Sequence, residues 1–151
     1  MNAEKKIEAL GISLPGMSPP KAMYIPVRSL GNALFVSGQV PFENGELRYS
    51  GKVGGERTLE EGEEAARLCI VNLLAAVKAY LGDLDKVKNV VKVQAFVNST
   101  PDFTQQHIVV NAASQLLFDV FGECGRHART AVAVPVLPMD ATVEIEAILE
   151  V

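Results

Sequence analysis

Arg126, His127 and Arg129 stand at the head of the apolar run TAVAVPV, and Glu144 and Glu146 alternate with apolar residues in the VEIEAI that follows. A strand needs none of these charges to fold. A guanidinium at the lip of one apolar strand, with carboxylates on the next, has the makings of a site for a small anion. If residues 129–136 form a strand, period two puts Arg129, Ala131, Ala133 and Pro135 on one face. Arg129 then has only small neighbours. A small-walled pocket with one fixed guanidinium suits a carboxylate, held by a two-pronged charge-assisted hydrogen bond. A helix cap or an ion pair across a subunit boundary would account for Arg129 equally well. Glu144 and Glu146 fall opposite Val143, Ile145, Ala147 and Leu149 in the alternation. A carboxylate beside an Arg could position or deprotonate water. It could also be the polar face of an edge strand.

Other polar residues carry weaker signals. His127 could act as a general base, but the sequence offers it no obvious Ser or Cys partner and sets it in a glycine-rich connection. Cys124, in the same connection, has no nearby base of the kind thiolate catalysis usually needs. His107 falls within a helical pattern, at a surface or an interface. In VSGQVP, residues 36–41, Gly38 would let a backbone approach a ligand closely, although Ser-Gly is also a common strand end. Tyr24 sits alone among apolar residues, as core or as a lid. Asn111, polar inside an apolar helical run, is a helix-surface amide or a pocket contact. Gly54-Gly55 is a turn and not a phosphate loop, since no Lys-Ser or Lys-Thr follows it.

These side chains need elements to hold them. A short helix is predicted over residues 3–10, with Ile7 and Leu10 on one side and Gly11 ending it. The Pro/Gly-rich GISLPGMSPPKAM follows. Strands are predicted at 24–27 and 33–37, joined by SLGN, with short strands around ENG in the loop after them. Thr58 with Glu61 is a capping box. Behind it Ala66, Cys69, Ile70, Leu73, Leu74 and Val77 recur at helical spacing up to Gly82. A strand over 90–97 leads to a second long helix, predicted to start with Thr100 as N-cap and Pro101 as first residue and to run to about Phe121. Its inner face is Val109, Ala113, Leu116, Leu117 and Val120. Strands at 129–136 and 142–151, with LPMD turning between them, close the chain. The sum is an α+β layer, two long helices on one face of a mixed or mostly antiparallel sheet. ALFV and AVAVPV put apolar side chains on both strand faces, and two helices cover only one. A partner subunit is the simplest cover for the other.

The 151 residues read as a single domain, 1–151, with an N-terminal extension over 1–20. A chain this long buries roughly 68–70% of its unfolded surface, enough for a core without staples. A net charge of −4 argues against nucleic acid as the main partner. Cys69 and Cys124 show no metal-type spacing and no disulfide framework, so a reducing cytoplasm with free thiols is expected. No signal-peptide pattern opens the sequence, and no apolar run is long enough to span a membrane.

Taken together, GNALFVSGQVP, the capped helix and HARTAVAVPVLPMDATVEIEAI resemble the Rid/YjgF family, also called endoribonuclease L-PSP. The resemblance runs from about Tyr24 to Val151. It implies a chorismate-mutase-like α+β fold and a homotrimer whose sheets face one another around a central barrel, with clefts between subunits. It implies hydrolysis of reactive enamines and imines, such as 2-aminoacrylate and its imine tautomer, to 2-keto acids and ammonia. The family's carboxylate-binding Arg falls on Arg129 and its water-positioning Glu on Glu144. Cleft positions fall on Tyr24, Ser37, Gly38, Asn111, Thr130 and Ala131. Three positions depart from the family pattern: Ala131 replaces a Cys, Pro26 a Gln and Ser114 a second Tyr. The extension over 3–20 is a further departure.

The chemistry so implied is short. Arg129 anchors the carboxylate of a 2-imino acid, and backbone near Gly38 and Ala131 orients the nitrogen. Water held by Glu144 attacks the C=N carbon, and ammonia leaves. No metal or organic cofactor is called for, since an imine is already electrophilic and positioning with proton transfer suffices. A non-catalytic trimer binding a 2-keto acid would use Arg129 without Glu144. An endoribonuclease has little support in an acidic chain without a basic–aromatic stripe or paired His. A structural or chaperone-like trimer would make Arg129 an interface ion pair.

Overall fold

The structure, a computed structural model, describes residues 2–18 and 22–151. Of the expected extension over 1–20, Met1, Pro19 and Pro20 lie outside the described residues, as does Lys21 of the Pro/Gly-rich segment. Helix α1 spans Ala3–Ala9, capped by Asn2, whose side chain accepts from the Lys5 N–H at 3.1 Å. Ile7 is buried, but Leu10 stays exposed. The Ala3 N–H donates to Asp85 Oδ1 at 2.8 Å, which fastens α1 to the 3₁₀ turn Leu84–Lys86.

The first strand lies later than predicted. Strand β1 is Val27–Leu30, pairing with β2, Ala33–Gln39, across the two-residue turn Gly31-Asn32. Pro26 has no N–H to give a ladder, so pairing begins one residue after it. Ser37 instead ties down the preceding segment: its N–H donates to Pro26 O at 2.8 Å and its Oγ to Ile25 O at 2.7 Å. The strands expected around ENG are β3, Phe42–Glu43, and β4, Glu46–Leu47. Asn44 and Gly45 between them both have positive φ, 52° and 79°, the two-residue turn that matches strand twist.

Helix α2 spans Leu59–Leu81 with both bonds of the Thr58–Glu61 capping box, and stops at left-handed Gly82. Strand β5 is Asn89–Asn98. The second long helix, α3, spans Gln106–Phe121 and not 101–121. Thr100 does not cap it. Its N–H is taken by Val53 O at 3.0 Å, and Pro101 sits in a turn closed by the Phe103 N–H on Thr100 O at 3.1 Å. Gln106 reaches back to Phe103 O and Ser99 Oγ, tying the turn to the first helical residue. Strand β6, Ala128–Val134, ends at Pro135, and a 3₁₀ turn at Pro138–Asp140 leads into β7, Val143–Glu150.

The five-stranded sheet has the order β1-β2-β7-β5-β6, antiparallel except for the parallel β5–β6 pair that α3 connects. Helices α2 and α3 cover one face, with Ile70, Leu73, Leu116, Leu117, Ile145 and Leu149 fully buried between the layers. Each contributes roughly 1.5–3 kcal/mol by leaving water. The opposite face carries Phe35, Phe96, Val132 and Ile148 among Lys92, Glu144 and Glu146. Phe35 is 43% exposed and Val132 39%, so apolar side chains do stand on a face that the helices leave open.

Candidate active site

Register decides where each charge points. Arg129 pairs with Val93 and Ala131 with Ala95, both fully buried, so the Arg129 face of β6 is the helix face. The guanidinium lies along α3: Nη1 donates to Asn111 Oδ1 at 3.0 Å and to Ser114 Oγ at 3.1 Å, and Nη2 to the His107 carbonyl at 3.3 Å. These acceptors sit on successive turns of one helix face, which fixes the planar group in orientation. A guanidinium has five N–H donors. With three contacts made on α3, the Nε–H and one Nη2–H have no partner among the described residues, donors of the kind that grip a carboxylate. They belong to a recess of about 630 Å³ walled by Asn111, Ser114, Phe118, His127 and Arg129.

Glu144 is elsewhere. It pairs with Phe96 across β5 and β7, on the open face, so within one chain Arg129 and Glu144 stand on opposite sides of the sheet. The carboxylate beside an Arg that the strand pattern suggests is not formed in the single chain. Glu144 instead lines a second recess of about 330 Å³ with Tyr24, Pro26, Gly38 and Met139. A Cβ on Gly38 would come within 2.7 Å of Glu144 Oε1, so the glycine makes room for this carboxylate. Burial first, and the Glu146 charge second, raise the Glu144 pKa from its ordinary value. Tyr24 is 56% exposed, which removes it from the core.

The remaining expected residues divide between these places. Asn111 joins Arg129. Ser37 spends its hydroxyl on Ile25 O and so fixes the segment that carries Tyr24. Thr130 points to the open face, where Lys92 Nζ donates to its Oγ1 at 3.0 Å, so its side chain does not meet Arg129. Ala131 shares Arg129's face of β6 and packs against the core. Cys69 is fully buried, which pushes its thiol pKa well up, and Cys124 is a free thiol in the 3₁₀ turn Gly122–Gly125.

His127 does have a serine partner, contrary to the sequence reading. Its Nε2 lies 2.9 Å from Ser114 Oγ, and its Nδ1 2.7 Å from the Gly125 carbonyl. Burial lowers the His127 pKa and Arg129 lowers it further, against the Gly125 bond. Nothing periodic connects positions 114 and 127, because a helix end and a 3₁₀ turn intervene. The one signal was that Ser114 departs from the family pattern.

Known proteins share this chain's fold. The family described as "YjgF/chorismate mutase-like, putative endoribonuclease" matches residues 4–150. Protein TCP17 of Trypanosoma cruzi is 46% identical over 145 residues, covering 95% of this chain and 91% of its own. The crystal structure of Atu1372 from Agrobacterium tumefaciens, a protein of unknown function, superposes with a TM-score of 0.92 at 46% identity, covering 99% of this chain and 91% of that one. Escherichia coli TdcF, solved with bound serine, superposes at 0.62 with 26% identity over 91% and 92% of the two chains. No helix among the described residues is long and apolar enough to cross a membrane.

Proposed function

Since the chain belongs to the YjgF/chorismate-mutase-like family, whose members carry an endoribonuclease name, we propose that it hydrolyses 2-imino acids and their enamine tautomers, of the 2-aminoacrylate type, to 2-keto acids and ammonia. The observation that carries this reading is the placing of Arg129. Three contacts lock the guanidinium to α3 and leave two N–H groups without a partner on a residue that lines an open recess. A small carboxylate suits those donors, and a related protein binds serine, itself a small amino-acid carboxylate. The proton chemistry falls to Glu144, a half-buried carboxylate whose burial raises its pKa from the ordinary value and so makes it a stronger base. With the two groups on opposite faces, neither half is complete in one chain. A homotrimer that brings the Glu144 recess of one subunit to the Arg129 recess of the next, burying Phe35 and Val132, completes the cleft. Water attacks the C=N carbon, the proton passes through Glu144, and ammonia leaves, with no cofactor involved. Free thiols and an acidic surface suit a reducing cytoplasm and a small-molecule partner, not a membrane or a nucleic acid.

A second reading has its own support. Everything that touches a carboxylate sits in one chain without Glu144, which also suits a non-catalytic trimer that binds a 2-keto acid. One experiment separates the two. An imine generated in situ by an amino-acid oxidase is trapped with semicarbazide, with and without protein. The wild type is expected to suppress trapping and Arg129→Ala to lose at least 100-fold of that rate, a bidentate charged contact being worth about 3 kcal/mol. Thermal stabilisation by pyruvate without any turnover overturns the enzyme reading in favour of the binding one.

A further inference from the structure

His127 has no part in the imine reaction, yet its surroundings are those of a base on a nucleophile. The Gly125 carbonyl can only accept, so Nδ1 carries the proton that it receives at 2.7 Å. That leaves a lone pair on Nε2, 2.9 Å from Ser114 Oγ. Arg129 Nη1 donates to the same oxygen at 3.1 Å, so the Ser114 proton has Nε2 as its acceptor. A neutral imidazole gives the Ser114 proton an acceptor within the chain, whereas a protonated Nε2 would be a second donor to Oγ and leave that proton to solvent. A serine that only braced Arg129 would need no oriented base behind it.

We propose that Ser114, with His127 as its base and the Gly125 carbonyl as orienter, is a nucleophile that accepts acyl groups from small esters carrying a carboxylate. Oγ attacks the ester carbonyl and its proton passes to Nε2. The carbon–oxygen bond to the alcohol breaks, and the alcohol leaves with that proton. Water then attacks the Ser114 ester with Nε2 again as base, releasing the acid and restoring the serine. As Oγ becomes the ester oxygen, the Nη1–H it held can turn to the oxyanion that forms on the attacked carbon. The recess selects anionic donors through Arg129, since Arg126 and Glu123 on its rim pair with each other at 3.3 Å and offset one another. The assembly is complete within one chain and does not depend on the imine reading.

The test uses the full-length protein with diisopropyl fluorophosphate, followed by intact-mass measurement and peptide mapping. One phosphoryl group on Ser114 is expected in the wild type and none in Ser114→Ala. His127→Gln should slow labelling by about 10²–10⁴-fold, the usual worth of a positioned general base. The wild type should also hydrolyse 4-nitrophenyl hydrogen succinate faster than 4-nitrophenyl acetate. Labelling should fall as pH drops and His127 protonates. The groups facing His127 are Ser114, Arg129 and the Gly125 carbonyl, with Arg126 and Glu123 on the rim. A folded wild type that stays unlabelled overturns the proposal, and so does labelling that is equally fast in His127→Gln. Imine hydrolysis is read by semicarbazide trapping on the unlabelled wild type alone, because Ser114 also holds Arg129, and its presence or absence there does not bear on the labelling result.

Discussion

Gly38→Ala separates the role of Glu144 from its contribution to the fold. The added Cβ would lie 2.7 Å from Glu144 Oε1, 3.0 Å from Cδ and 3.1 Å from Cγ. To recover an ordinary contact of 3.4 Å, the carboxylate must retreat by about 0.7 Å. The clashing atoms are the far end of a flexible side chain, and no backbone atom is among the nearest. An off-rotamer χ angle absorbs the shift at about 0.5–1.5 kcal/mol. In a domain of this size that lowers Tm by roughly 1–6 °C. Catalysis is less forgiving, since a misplacement near 1 Å can cost about 100-fold. The assay is imine hydrolysis by semicarbazide trapping, alongside a thermal melt. The expected result is a rate down by one to two orders of magnitude in a protein that still melts cooperatively. A rate within twofold of wild type would refute the reasoning, because the water-positioning carboxylate would then tolerate displacement.

Gly125→Ala should behave in the opposite way. Its Cβ would sit 2.2 Å from the Leu117 carbonyl oxygen, a backbone atom that cannot retreat, so a loss of at least about 2 kcal/mol is expected in denaturant unfolding. Glu146→Gln removes a charge that raises the Glu144 pKa. The acid limb of the pH–rate profile, where Glu144 gains a proton and ceases to act as base, should therefore move to lower pH. Thr100→Val should raise Tm by roughly 2–4 °C, since Thr100 Oγ1 is buried without a hydrogen-bond partner and an unmet hydroxyl costs about 1 kcal/mol or more.

The elements with a strong local signature were legible in the sequence. The Thr58–Glu61 box, the periodic apolar face behind it and Gly82 define α2 without any tertiary context. The ENG hairpin is equally local, because two positive-φ residues name their own turn. The start of α3 was misread because Thr100-Pro101 satisfies two helix-start rules at once, whereas the Thr100 N–H is held by the distant Val53 carbonyl and Pro101 lies in a turn closed at Phe103. The strand at Val27 was set early because apolar content ignores the missing N–H of Pro26. Within the site, period two placed Arg129 on the small-residue face correctly, and it could not say that Glu144 faces the other way. That depends on how strands β5 and β7 pair, a relation between segments far apart in the chain. The Ser114–His127 contact is of the same kind: two polar residues on different elements carry no shared period.

Strand β7 joins the sheet at its centre, although β1, β2, β5 and β6 all precede it in the chain. During vectorial synthesis the ribosome therefore delivers two separate fragments, the β1–β2 hairpin and the β5–β6 pair, each with a bare inner edge. Neither edge is satisfied until β7 emerges and zips between them, closing many long loops in one event. The nascent chain thus holds two adhesive edges for as long as translation of the intervening segment lasts, the exposure that invites mispairing with neighbouring chains. Glu144 lies on that same strand, so the carboxylate arrives with the keystone, and no partly folded chain carries both it and a finished sheet.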